Sequence, residues 1–315
     1  MVVPLPSPLD LLTAWSFDLS VQLPLLATAG GFLWAVRRIR RQHPGNPVPA
    51  WRVASLLAGM AVIELALESV VGRYDDTLFV AHMAQHLLLM LVAAPLIVLG
   101  TPVTIALRVA TPDVRRRWLL PILHSRAVAF LSHPLVGLAL FTASLWITHF
   151  SPIFELALEN SLVHDLEHVA YLAAAVLFWG PVLGADPVRV RVPVIVRFVA
   201  ILIAMAQGSL LGVVILLAAA PLYPHYAELN LGYITALADQ QMAGAAMWIA
   251  SAVLVPLWGG LVLFDWMRAE EAASVREDAR LARAMAAPSS LPPGRRQPVA
   301  SPADGRPGGI SGSAS

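Results

Sequence analysis

Residues 78–99 read LFVAHMAQHLLLMLVAAPLIVL, a run without one Asp, Glu, Lys or Arg. About 20 mostly apolar residues carry a helix across the hydrocarbon core of a bilayer, so this stretch reads as a membrane span. Working outward from it, six further stretches qualify: 19–36, 53–71, 135–150, 162–183, 194–219 and 239–263. The stretch 135–150 is short and needs flanking residues near Ser132 or Ser151 to reach across. Composition agrees, because 58% of the 315 residues are hydrophobic and 13% charged, with a mean hydropathy of +0.71. A soluble domain carries about 25% charged residues. So few charges cannot clothe a water-exposed surface of this size, which excludes a cytosolic globular enzyme. The expected fold is an all-α polytopic membrane protein with seven transmembrane helices.

The arginines orient it. With the N-terminus outside, five fall in 37–52, five in 108–126, three in 189–197 and seven from Arg268 onward, which leaves only Arg73 on the outer side. Basic residues concentrate in cytoplasmic loops, so the expected topology is N-out and C-in. No basic region precedes the first apolar stretch, and a cleaved secretory signal is not expected. Residues 1–268 are expected to form one seven-span membrane domain and 269–286 a cytoplasmic helical extension. The stretch 287–315, rich in Pro, Gly, Ser and Ala, is expected to be a disordered tail. The segment 100–134, with Pro102, Pro112 and Pro121, is expected to lie partly in the membrane interface.

That topology gives each intramembrane polar residue a depth. His82, His86, His149, His164, His168 and His225 all come to the outer side, six of nine histidines. In His82-Met-Ala-Gln-His86 and His164-Asp-Leu-Glu-His168 the imidazoles are four apart and share one helical face. Met90 continues the first face one turn deeper, and Tyr171 lies near the second. Two such pairs at one depth, on helices of one direction, can converge on a single ion. Cysteine is absent, which excludes disulfides and thiolate sites. Neutral imidazole suits Cu, Zn, Fe and Ni, while thioether selects Cu(I). The candidate ligands are His82, His86, His164 and His168, with His149 and Met90 as further candidates. Asp165, Glu167, Asp239 and Gln240 are candidates to hydrogen-bond the ligating imidazoles and fix their tautomers.

Plainer roles compete at several of these positions. A lone membrane histidine usually packs with one hydrogen bond, and His149 and His225 read equally well that way. Asp239 can cap the seventh helix. Glu64 and Glu68, also four apart, fit a proton or cation site and fit a neutral interfacial pair equally well. Ionisable residues within spans are costly and mark functional sites, so two matched histidine pairs point to metal. Other histidine chemistry stays open: a haem-binding redox protein, or a His-rich metal-dependent membrane enzyme. The latter would lack the HExxH of metalloproteases.

HMAQHLLLM (82–90), WITHFSPIFELALEN (146–160), HDLEHVAYLAAAVLFWGP (164–181) and DQQMAGAAMWI (239–249) resemble the multi-span CtaG-type cytochrome c oxidase assembly factors. The likeness covers nearly the whole membrane domain with its motifs in order. It implies a non-catalytic role in building haem–copper oxidases in the bacterial cell membrane. Copper would be handled on the extracytoplasmic side. The implied partners are oxidase subunits, copper donors and the lipid bilayer, with no nucleic acid. Some relatives fuse this domain to a copper-resistance membrane domain, and the chain is expected to stand without such a partner. Glu64, Glu68 and the tail match no feature of that pattern.

Overall fold

The computed structural model describes residues 13–186, 192–229 and 231–286. Among these residues the protein is helical, with no strand. The expected tail at 287–315 lies outside the described residues. Six helical segments are long and apolar enough to cross a membrane: Leu19–Gln42, Ala50–Tyr74, Phe79–Val109, Ser161–Leu183, Val194–Leu216 and Ala236–Arg283. The principal helices are α1 (Leu19–Gln42), α2 (Ala50–Glu68), α3 (Phe79–Leu87), α4 (Ala94–Leu99) and α5 (Pro102–Val109). They continue with α6 (Pro134–His149), α7 (Ile153–Glu159), α8 (Ser161–Leu183), α9 (Val194–Leu216), α10 (Pro224–Glu228) and α11 (Ala236–Ala286).

The fourth expected span departs from expectation. Helix α6 has 16 residues, about 24 Å at 1.5 Å per residue, against about 30 Å of hydrocarbon. It reaches seven spans only when α7 is counted with it, and that pair is bent by 71° around Ser151 and Pro152. Helix α6 runs antiparallel to α8. At one end a Cβ on Gly137 would come 2.5 Å from the Leu177 carbonyl, and at the other Thr148 bonds Tyr171. The bend then carries α7 across the end of the bundle.

The third span is interrupted below its histidines by a π-helical segment, Leu88–Ala93. There the Ala94 N–H bonds the Leu89 carbonyl, which takes it away from Met90. Pro95 has no N–H to offer Leu91. Both orphaned carbonyls are satisfied from other helices, Met90 by the Trp179 indole at 2.9 Å and Leu91 by the Trp258 indole at 2.7 Å. In hydrocarbon, a backbone group freed by a helix break must find such a partner. The substitution ties α3 to α8 and α11 just beneath the histidine level. Around it lies the main apolar core, including Phe141, Phe178, Leu211, Ile215 and Met247.

Other ends are tied from a distance. Glu68 Oε2 accepts from the Asp18 N–H at 3.0 Å, and Glu64 Oε1 accepts from Gln22 at 2.6 Å. Both carboxylates thus hold α1 against α2. Asp186 accepts from the Val103 and Thr104 N–H groups at the start of α5.

The chain divides into a unit of residues 1–267 and one of 268–315. In the second, residues 268–286 are helical, with an exposed Arg280–Glu277 ion pair at 3.9 Å.

Candidate metal centre

Two parallel helices present the histidines. Asp239 accepts from the Phe79 N–H at 2.6 Å and the Val80 N–H at 3.1 Å, closing the first turn of α3 from α11. Three residues on, His82 and His86 project from one face. Asn160 caps α8 by accepting from the Leu162 and Val163 N–H groups, and His164, Glu167 and His168 follow within two turns. The helices are in register. The His82 and His164 rings stack at 5.1 Å with 5° between planes, and those of His86 and His168 lie 5.5 Å apart. Within the pairs the centroids are 4.4 Å and 4.3 Å apart. All four rings are buried.

One ligand atom from each of His82, His86, His164 and Glu167 lies within 4.8 Å of the others. Bonds near 2.1 Å, as for zinc to imidazole nitrogen, put tetrahedral ligands about 3.4 Å apart, so small side-chain rotations would close the group on an ion. The His82 and His86 Nε2 atoms are 2.9 Å apart. Five buried atoms here have no hydrogen-bond partner among the described residues: His82 Nδ1, His86 Nδ1, His164 Nε2 and both Glu167 oxygens. Buried polar groups are nearly always paired, and this concentration of orphans fits a positively charged guest. A copper or zinc ion would accept the imidazole lone pairs, and the Glu167 carboxylate would offset its charge.

His168 is committed elsewhere. The Gln85 amide donates to Asp75 Oδ2 at 2.9 Å and to the Ala66 carbonyl at 3.2 Å, so its Oε1 faces His168 Nε2 at 2.8 Å. His168 therefore carries its proton on Nε2 and its lone pair on Nδ1. Asp75, in the loop before α3, is buried, and burial with the neighbouring Asp76 charge pushes its carboxyl up to about 7. Tyr226 donates to the Asp75 carbonyl at 2.6 Å.

The other sequence candidates fall at different stations. His149 donates from Nδ1 to the Leu145 carbonyl at 2.8 Å, and its buried Nε2 is unpartnered among the described residues. The Phe154 ring touches both His149, at 5.6 Å, and His82, at 5.1 Å. Met90 packs into the apolar core and lines a small cavity with Phe141, Leu145 and Met247. Asp165 is exposed and borders a groove between α1 and α8. Two expected imidazole partners have other work. Asp239 spends both oxygens on the end of α3, and Gln240 binds Leu222, Ile215 and Ala220 in the turn after α9. Both are drawn to backbone groups that helix ends leave unpaired. His225 bonds the Asp76 carbonyl at 2.9 Å.

The sequence reading missed Gln85 and the roof. A neutral amide inside an otherwise apolar run was the available signal for Gln85. Phe79, Phe154, Tyr223 and Tyr226 close over His82, with Phe154 and Tyr223 centroids at 4.2 Å and Phe79 and Tyr223 at 4.7 Å.

A family model described as cytochrome c oxidase caa3 assembly factor (Caa3_CtaG) matches residues 30–269. An uncharacterised protein of Mycobacterium leprae is 30% identical over 274 residues, covering 84% of this chain and 41% of that protein. One from Mycobacterium bovis is 30% identical over 275 residues, covering 85% and 41%. The chain spans about two-fifths of the length of the curated relatives it matches. No solved structure matches significantly. With the family model matching most of its length, the chain belongs to the cytochrome c oxidase caa3 assembly factor family, Caa3_CtaG.

Proposed function

We propose that this protein holds a copper ion at the outer face of the membrane and supplies it during assembly of a haem–copper oxidase. The observation that carries the reading is the buried group of His82, His86, His164 and Glu167, which brings one ligand atom of each within 4.8 Å of the others, on residues that also carry polar atoms with no partner among the described residues. Three neutral imidazoles and one carboxylate suit a late first-row metal, and copper is the one proposed because the family assembles a cytochrome c oxidase. The ion is cargo here, so the protein is read as a binding and transfer factor rather than an enzyme. A haem fits poorly, because imidazoles with centroids 4.3–5.1 Å apart leave no slot for a macrocycle.

The outer placement rests on the arginines. With α6 and α7 counted as one span, the positive-inside rule assigns the Arg-rich segments 37–52 and 108–126 to the cytoplasm and so puts the histidine cluster outside. The expected partners are oxidase subunits and the donors that load the site.

Copper analysis of the purified protein tests the reading. Wild type is expected to hold one copper per chain, and His86→Ala and His164→Ala to hold a tenth or less. Deletion of the gene should lower assembled oxidase, with partial rescue by excess copper. Equal copper in wild type and both variants would sink the site.

A further inference from the structure

Glu167 borders two environments. It contributes to the four-residue cluster, and it lines an apolar groove of about 490 Å³ between α6 and α8. The rims of that groove are apolar and exposed: Ile147 is 55% exposed and Leu166 59%. Toward the aqueous face the cluster is closed by the buried rings of Phe79, Phe154, Tyr223 and Tyr226. The carboxylate thus gives the cluster an opening sideways, into the bilayer.

The groove floor offers that carboxylate one polar neighbour, the Tyr171 hydroxyl. The Thr148 hydroxyl donates to the Ser144 carbonyl at 2.6 Å. Thr148 Oγ1 also shares a hydrogen bond with the Tyr171 hydroxyl. Glu167 is 6% exposed, and both oxygens lack a partner among the described residues. An acyl chain in the groove would bring it no polar partner. Ala170 and Ala173 on α8 and Ala143 on α6 line the same groove, and small residues let another helix backbone approach closely.

We infer that this groove receives a membrane-spanning helix of the recipient oxidase subunit, which brings a metal-ligating side chain to Glu167. The inference rests on the copper reading above. Transfer would then run laterally: Glu167, the one carboxylate of the cluster, exchanges its bond to the ion for the incoming ligand, and no electron moves. The roof need not open.

A photo-cross-linking residue at position 173, in the full chain in membranes that contain the oxidase, tests it. A control carries the same residue at Leu202, which is 56% exposed on α9. The expected adduct maps to a membrane-spanning segment of an oxidase subunit. It should be absent from the control and at least tenfold weaker when Ala170→Trp fills the groove. Adducts only with lipid, with a second copy or with a soluble segment would overturn the inference. In parallel, Ala173→Trp should leave the copper content of the purified protein unchanged while assembled oxidase falls severalfold. Unchanged assembly, or copper lost together with assembly, would count against lateral transfer. Copper missing from wild type would overturn the copper reading alone, and the cross-link would still decide whether the groove holds a helix.

Discussion

The Nε2–H of His168 donates to Gln85 Oε1 at 2.8 Å, because the amide nitrogen of Gln85 is already committed to Asp75 and Ala66. One neutral side chain therefore fixes the tautomer of a histidine on another helix and anchors the loop before α3. Gln85→Leu would take one hydrogen bond from each of these three partners in a buried site. Histidine side-chain nitrogen spectra of the metal-free protein should show His168 protonated on Nε2 in wild type and a mixture of tautomers in the variant. An unchanged spectrum would refute the assignment.

The cluster ranks its members in an order that the histidine pattern alone does not suggest. Glu167 offers an oxygen among the three imidazoles, while His168 is held by Gln85. Glu167→Gln, which keeps the volume and removes the charge, should weaken copper binding more than His168→Ala does. Competition titrations with a copper chelator would reveal the reverse order if the paired histidines alone make the site.

The break in the third span yields a double-mutant test. Trp258→Phe removes the donor to the Leu91 carbonyl and should cost about 1–3 kcal/mol, the penalty for a buried polar group left unpaired. Pro95→Ala restores a backbone N–H near that carbonyl. The tryptophan substitution should therefore cost less in the Pro95→Ala background, and strictly additive stabilities would show that Trp258 merely packs.

Asp75 gives a pH dependence of definite sign. Its carboxyl is raised from 3.8 to about 7 by burial and by Asp76, with Gln85 and Tyr226 as its other polar neighbours. The folded protein therefore keeps a proton that the unfolded chain has lost above about pH 4. That contribution is complete below the unfolded value and disappears as pH rises through about 7. The melting temperature in detergent should fall between about pH 5 and pH 8, and fall less in Asp75→Asn. Identical slopes would show that the group does not titrate there.

Whether α6 crosses the membrane can be read with topology reporters. If the bent pair of α6 and α7 is one span, fusions at Ser132 and Asn160 report opposite sides, cytoplasmic and external respectively. Reporters on the same side would leave six spans, and the two termini would then share a face.

The sequence by itself determined that this is a helical membrane protein, because runs of about 20 apolar residues have few other stable states. Periodicity determined that His82 pairs with His86 and His164 with His168, since residues four apart on a helix must share a face. The order and composition of its motifs carried the family resemblance. Which donors face one another was decided only by tertiary packing. Glu167 and His168 are adjacent on α8, and sequence gives no reason for the first to join the imidazoles while the second turns to Gln85. Asp239 lies 160 residues from Phe79 yet closes its helix, and Trp179 and Trp258 supply donors that the π-segment and Pro95 withhold. Such pairings depend on the rotation and register of helices packed side by side, and a pattern local in sequence fixes neither.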